Sequence, residues 1–265
     1  MKGNFSVIEE LFVARDDTYA IQEKSQNGGY CFKKVSSPLT SEILHSHLEG
    51  KLTIGIYPCQ NNTTKWLVYD IDNSDCNDAI QIEERLRHYN IPGYLEYSGR
   101  NWHLWVFFRK PVSNSIVRRF GNYILKEADC QNSVEIFPKQ DRIENVGNCI
   151  KLPLGKHLKT GEKCEFVNAL NLKPFDNQIQ FLRSIKSIEE TTLREVLQIN
   201  DTQIKEIAEE KEPFAILEPC VKAYWIEGAN EGKRHSVAFQ LAIRFKENGV
   251  SEIEALRKLS EWLKR

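Results

Sequence analysis

The chain has 265 residues, 41% of them apolar and 28% charged, and a formal net charge of −1, the composition of a soluble globular protein with room for one large domain and a smaller one. It holds no run of about 18 apolar residues to cross a membrane, and Met1-Lys2-Gly3-Asn4-Phe5 lacks the apolar core of a signal peptide. Seven cysteines, scattered, odd in number and never spaced Cys-x-x-Cys, suit free thiols in a reducing cytoplasm and argue against a zinc ribbon or iron–sulfur cluster.

Residues 1–60 read as a mixed α/β segment. Phe5–Phe12 has helical periodicity, and Tyr19–Gln22 and Gly29–Phe32 read as strands around the turn at Ser25-Gln26-Asn27-Gly28. Thr40 caps a helix that reaches His47-Leu48 and stops at Gly50. His45 and His47, two apart on that helix, point to different sides and read as surface residues. Leu52–Tyr57 is a strand that halts at Pro58.

Trp66-Leu67-Val68-Tyr69-Asp70-Ile71-Asp72 then reads as a buried strand ending in two carboxylates. The two-residue period places Asp70 and Asp72 on one face and Leu67, Tyr69 and Ile71 on the other. Like charges that close need a cation between them, or else the strand simply runs out into a polar loop. A helix over Asp78–Tyr89 follows, then strands Tyr94–Ser98 and Trp102–Phe108 across Gly99-Arg100-Asn101. A second helix, opened by Pro111, runs to about Glu127, and Ser133–Phe137 is a fourth strand. The order βαββαβ predicts an α+β, ferredoxin-like or RNA-recognition-motif (RRM-like) core, an antiparallel sheet with helices on one face.

That topology leaves one sheet face uncovered. Alternation places Asp70, Asp72, Glu96, Ser98, His103 and Glu135 on it, provided that Leu104, Val106 and Phe108 pack inward. Trp102, Trp105, Phe107 and Phe108 read as core, with Trp102, near the turn, the candidate exception for base stacking. Next, Lys151, His157 and Lys159 punctuate a short apolar strand in which Pro153 and Gly155 mark a close backbone approach. Between Arg100 and Lys163, twelve Lys/Arg face six Asp/Glu, a basic excess found on ordinary solvated faces and also needed by a polyanion-binding groove.

Residues 1–175 thus form the core and residues 176–212 a charged helical connector. Residues 213–265 form a small all-α module with helices over Ile216–Trp225 and Lys233–Lys246 and a last helix capped by Ser251 and Glu254. That last helix has no stop signal at Arg265, which suits either a piece of a longer protein or an ordinary helical C-terminus.

These residues resemble a family. Asp70-x-Asp72, Ser98-Gly-Arg100-x-x-His103, Glu135 and Lys151-Leu-Pro-Leu-Gly-Lys-His157-x-Lys159-Thr-Gly, in order across about residues 50–163, look like the archaeo-eukaryotic primase superfamily. The phrases Phe12–Arg15, Ile54–Pro58 and Val134–Gln140 resemble its prokaryotic primase-polymerase branch, found in defence-associated and CRISPR-associated systems, and the tail resembles the helical module that often follows such cores. The third acid is Glu135 where many relatives have Asp, with Asp141 in reserve, and Asn101 stands at a turn position often occupied by Gly. The zinc-binding Cys/His cluster of many relatives is absent.

The resemblance implies a cytoplasmic nucleotidyltransferase that makes or extends primers on a single-stranded DNA template from nucleoside triphosphates. Two Mg²⁺ or Mn²⁺ ions on Asp70, Asp72 and Glu135 would serve phosphodiester formation, with no zinc or iron–sulfur cluster. Ser98, Arg100, His103, Lys151, His157 and Lys159 would hold the nucleotide. Further domains of a longer chain, or CRISPR and defence proteins, are the implied partners. A catalytically silent nucleotide-binding module and a metal-dependent nuclease are the competing readings.

Overall fold

The structure is a computed structural model that describes residues 2–25, 28–72, 76–131, 134–143, 145–199, 234–247 and 252–263. The chain divides into two compact units, Met1–Ile204 and Lys205–Arg265. Among the described residues no helix is long and apolar enough to cross a membrane.

The first unit begins with α1 (Lys2–Phe12), the hairpin β1 (Tyr19–Lys24) and β2 (Tyr30–Val35), α2 (Ser41–Leu48), β3 (Ile54–Ile56) and β4 (Cys59–Gln60). The middle of the chain supplies β5 (Thr63–Ile71), α3 (Asn77–His88), β6 (Tyr94–Tyr97), β7 (Trp102–Ser113), α4 (Asn114–Glu127) and β8 (Val134–Phe137). It closes with β9 (Ile150–Lys151), β10 (Glu165–Phe166), α5 (Gln178–Ser184) and α6 (Glu190–Leu197). The succession β5-α3-β6-β7-α4-β8 is the expected βαββαβ order.

Two antiparallel sheets result. One runs β2-β1-β3-β9; the other runs β10-β6-β7-β5-β4, with β8 also on β5. Strand β5 is central because its residues pair on both edges. Every residue of it except Lys65 faces β7, while β4 takes the start of the opposite edge and β8 the end.

Both faces of the larger sheet are packed, which corrects the expectation of an uncovered face. Leu67, Tyr69, Ile71, Leu104 and Val106 meet Ile82 and Leu86 of α3 and Val117, Phe120 and Ile124 of α4. On the other side Trp66, Val68, Trp105 and Phe107 lie under Ile8 and Phe12 of α1, Ile54 of β3 and Leu182 of α5. Only the end of that face bearing Asp70 and Asp72 stays open. Side chains as large as Trp66 and Trp105 have to be removed from water, and the amino-terminal segment is what removes them.

Other expectations change for local reasons. Pro111 lies within β7, and α4 starts at Asn114. The ladder between β5 and β7 breaks between Thr64 and Trp66, so residues 108–111 bulge away from β5, where a missing N–H costs no ladder bond. Residue 188 pairs there instead: Arg109 N–H donates to Ile188 O at 2.8 Å and Ile188 N–H to Phe107 O at 2.9 Å. The described part of the stretch read as a connector therefore belongs to the first unit, with Leu182 and Leu193 buried in its two cores. His47 is not a surface residue; it is fully buried at the end of α2.

In the second unit α7 (Arg234–Glu247) and α8 (Glu252–Leu263) pack through Val237, Leu241, Phe245 and Trp262. The helix expected over Ile216–Trp225 and the Ser251 cap lie outside the described residues.

Phe12 is the test of this packing, since its ring meets Trp105 edge-on at 5.1 Å and Phe107 at 5.4 Å. Phe12→Ala is expected to destabilise the first unit by about 3–5 kcal/mol in chemical denaturation. A loss under about 1 kcal/mol would mean that α1 does not cover the sheet.

Candidate active site

Strand register assembles the centre of the site. Glu96 on β6 opposes His103 on β7, His103 opposes Asp70 on β5, and Asp70 opposes Glu135 on β8. Directly opposed residues share a face, so the four side chains form one row across the sheet. His103 sits between two carboxylates: Nδ1–H donates to Glu96 Oε2 at 2.9 Å, and Nε2 lies 3.5 Å from Asp70 Oδ1. Trp105 Nε1–H donates to the same Glu96 oxygen at 2.8 Å.

Burial pushes the His103 imidazole down, but the charge of Glu96 and the hydrogen bonds to Asp70 and Glu96 outweigh it and raise the ring to about 9. It is an imidazolium at neutral pH. Burial likewise pushes Asp70 up, and the hydrogen bond and charge of His103, with Lys139 and Lys151 beyond, hold its carboxyl below the usual range. Glu96 is fully buried, and its Oε1 has no hydrogen-bond partner among the described residues.

The open end of the row is shaped by the β6–β7 turn. Asn101 Nδ2–H donates to Asp72 Oδ1 at 2.6 Å, and Arg100 stands 3.5 Å from the same oxygen. Ser98 spends its hydroxyl on Asn101 O at 3.0 Å, while its carbonyl accepts from Lys151 Nζ. Lys151 arrives from the other sheet, where β9 pairs with β3.

Beyond β9, the loop at 157–162 docks on the same turn. Gly99 has φ +85°, and a Cβ there would come within 2.4 Å of His157 Cβ, so only glycine permits the approach. Thr160 Oγ1–H donates to Gly99 O at 2.8 Å and Thr160 N–H donates to His157 Nδ1 at 3.1 Å. With Nδ1 accepting, the ring proton of His157 is on Nε2. Burial, then the charges of Lys151, Arg100 and Lys159, push His157 down to about 4, so it is a neutral donor at physiological pH.

A cavity of about 430 Å³ brings these groups together, lined by Asp70, Asp72, Ser98, Arg100, His103, Lys151, His157 and Lys159. Eight of the nine candidate residues thus share one pocket. Glu135 does not line it; though it opposes Asp70, its side chain is largely exposed and takes a hydrogen bond from Lys139 Nζ at 2.5 Å. Asp141, the reserve acid, is engaged by Arg118 at 2.7 Å. Trp102 packs with Tyr97 on the helix-covered face, away from the pocket.

Several lining or supporting groups were missed. The β1–β2 hairpin supplies Gln22, Tyr30 and Phe32 to the opposite wall, a closure between sheets that sequence spacing does not reveal. Glu96 was placed on the right face and given no role; its position opposite His103 was the available signal. Lys139, four residues after Glu135, was a second.

Whether the acids suit a hard divalent ion is a matter of donors and position. Asp70, Asp72 and Glu135 offer only carboxylate oxygens, from adjoining positions of one sheet face, which fits Mg²⁺ or Mn²⁺. Among the described residues no three acidic, imidazole or thiol groups are gathered as a preformed metal cluster; Glu135 would first have to leave Lys139.

A family model of archaeo-eukaryotic primase domains matches residues 4–196. Its description is "TOTE conflict system, Archaeo-Eukaryotic Primase domain", and the chain belongs to that family. No curated protein matches the chain. Among solved structures it is similar to the AEP domain of the cyanophage S-2L primase-polymerase, at 16% identity and TM-score 0.42, over 69% of this chain and 95% of that one. It is also similar to the catalytic domain of primase RepB′ in complex with initiator DNA (12%, TM-score 0.43, 79% and 98%). A third is the polymerase domain of Mycobacterium tuberculosis ligase D in complex with DNA (11%, TM-score 0.38, 78% and 91%). Likenesses of that strength add nothing to the family assignment.

The charged row makes a prediction of its own. Because His103 is raised above its ordinary 6.5 to about 9, its share of stability is fully present below pH 6.5 and lost as pH rises through about 9. Glu96→Gln should lower the His103 titration, followed by NMR in metal-free buffer, because burial acts downward and only Asp70 then remains to oppose it. A ring still titrating near 9 in that variant would assign the shift to Asp70 alone.

Proposed function

We propose that the first unit is a primase-polymerase: a nucleotidyltransferase that joins a primer 3′-hydroxyl, or an initiating nucleotide, to the α-phosphate of an incoming nucleoside triphosphate on a single-stranded DNA template. The observation that carries this reading is the composition of one pocket. The carboxylates of Asp70 and Asp72 line it together with Arg100, Lys151, His157 and Lys159.

Asp70 and Asp72, with Glu135 released from Lys139, would hold two divalent ions. When bound, such ions activate the attacking hydroxyl and neutralise charge on the leaving pyrophosphate. The protein's own part is placement. Arg100 offers a planar fork to phosphate oxygens, Lys151 and Lys159 offer point charges, and His157 offers an uncharged Nε2–H donor. His103 fixes the Asp70 carboxylate through its charge and keeps it ionised. Phosphoryl transfer depends chiefly on positioning and electrostatics, so no protein nucleophile is needed. Conflict-system proteins, including the defence and CRISPR-associated partners implied above, complete this reading.

A catalytically silent nucleotide-binding module is favoured by one observation: each of the three acids has a protein cation beside it, His103, Arg100 and Lys139 respectively. Activity separates the two. With single-stranded template, Mn²⁺ and labelled nucleotides, with and without primer, the protein should incorporate nucleotide, and Asp70→Asn with Asp72→Asn should abolish incorporation while the melting temperature holds. Incorporation surviving in that double variant would remove the carboxylates from the chemistry, and none in the parent would favour the silent module.

The phosphate wall has a separate test. Lys151→Ala or His157→Ala should each weaken triphosphate binding by on the order of 1–3 kcal/mol, the range for charge-assisted hydrogen bonds. Binding of the matching nucleoside should scarcely change. Equal losses for both ligands would place these side chains away from the phosphates.

A further inference from the structure

The segment linking Lys151 to His157 is moulded around a single buried ring. His47, at the end of α2, is fully buried. Its Nδ1 accepts from Ile54 N–H at 3.1 Å, so the ring proton is on Nε2, which lies 3.1 Å from both Leu152 O and Pro153 O. One neutral imidazole therefore joins β3 to the chain immediately after Lys151. The strand pairing is short there, with Gly55 opposite Lys151 and Leu152 N–H donating to Ile54 O at 2.9 Å.

The next residues follow the ring closely. Leu154 adopts φ +67°, a conformation that a bulky side chain keeps only when its surroundings enforce it. At Gly155 the backbone lies against the imidazole, and a Cβ would fall 2.1 Å from His47 Cε1. Thr53 Oγ1–H, on the same side, donates to Lys156 O at 2.7 Å. His157, the next residue, enters the pocket.

We propose that His47 is a positioning residue for the triphosphate wall: by bridging Ile54 N–H to the Leu152 and Pro153 carbonyls and filling the space beside Gly155, it sets where Lys151 and His157 stand. The proposal rests on the reading that those two side chains hold phosphates. A histidine suits the place because it presents an acceptor and a donor on opposite sides of a compact ring. Burial holds the group below its ordinary value, which keeps it neutral and Nδ1 free to accept.

The test compares His47→Leu, His47→Gln, Gly155→Ala and Lys151→Ala with the parent. Calorimetric titration of a nucleoside triphosphate and of its nucleoside would be accompanied by thermal melting and by KM and kcat for primer extension. His47→Leu should weaken triphosphate binding about tenfold, the effect of losing roughly one hydrogen bond's worth of placement. Nucleoside binding should be unchanged, and KM should rise more than kcat falls. Gly155→Ala should behave alike by displacing the ring, and it carries the test should His47→Leu not fold. His47→Gln, whose amide keeps an acceptor and a donor, should recover most of the affinity. Unchanged triphosphate affinity in His47→Leu and Gly155→Ala, while Lys151→Ala loses it, would overturn the proposal alone. Equal loss of nucleoside and triphosphate with a lowered melting temperature would do the same, leaving His47 a scaffold residue. Unchanged affinity in Lys151→Ala would overturn the phosphate reading itself, and this proposal with it.

Discussion

The pairing of His103 with Glu96 inside the sheet is the constraint on which the site depends. Removing an ionised carboxylate from water costs several kcal/mol even after relaxation, unless a partner of opposite charge is held against it. Glu96 meets that requirement with two donors on one oxygen, His103 Nδ1–H and Trp105 Nε1–H. The imidazolium so fixed then acts outward on Asp70. The bond to Trp105 ties this polar row to the aromatic core next to it, so neither can shift without the other.

Strand β5 shows why the fold places this chemistry at an edge. Along one face it presents Trp66, Val68 and Asp70, and Asp72 follows just past its end. Trp66 and Val68 are fully buried, the Asp70 side chain is 23% exposed and that of Asp72 69%. The aromatic end is sealed by α1 and α5, and the acidic end opens into the pocket. Four carboxylates (Glu96, Asp70, Asp72 and Glu135) are set against five cations (His103, Arg100, Lys139, Lys151 and Lys159) in and around that opening. In the proposed reaction a triphosphate adds about four negative charges, which two divalent ions would offset. Binding of ions and of nucleotide would then each favour the other, because either alone leaves the site far from balance.

Much of this was legible because it follows from short-range rules. The two-residue period on β5, β6, β7 and β8 was enough to put Asp70, His103, Glu96 and Glu135 on a common face, and punctuation at Gly50 and Gly99 was enough to order the elements. What failed depended on contacts distant in sequence. The alternation on β5 and β7 identified a second face but not what lies on it, and the Trp66 indole N–H donates to the Phe12 carbonyl of α1, 54 positions away. His47 looked superficial because helical spacing reports direction and not what stands opposite; the two carbonyls that its Nε2 faces are 105 and 106 residues further on. Pro111 was misread because a bulge, followed by pairing with residue 188, let a proline lie inside a strand. Glu135 was expected in the same cluster as Asp70 and Asp72, yet Lys139 draws it outward.

The two histidines that face the pocket have been given opposite characters by the same physical variables. His103 lies between carboxylates and is charged up to about pH 9; His157, held down by burial and then by the charges of Lys151, Arg100 and Lys159, stays neutral down to about pH 4. Neither therefore changes state across the physiological range, which sets this site apart from one built for histidine acid–base catalysis. A fixed cation beside Asp70 and a fixed neutral donor among the lysines are instead what positioning requires. The imidazolium holds a carboxylate in place without competing for its proton, and the neutral ring adds a directional hydrogen bond where a further positive charge would only repel its neighbours. The arrangement is electrostatically preorganised, and its balance point is the single row that runs from Glu96 through His103 to Asp70.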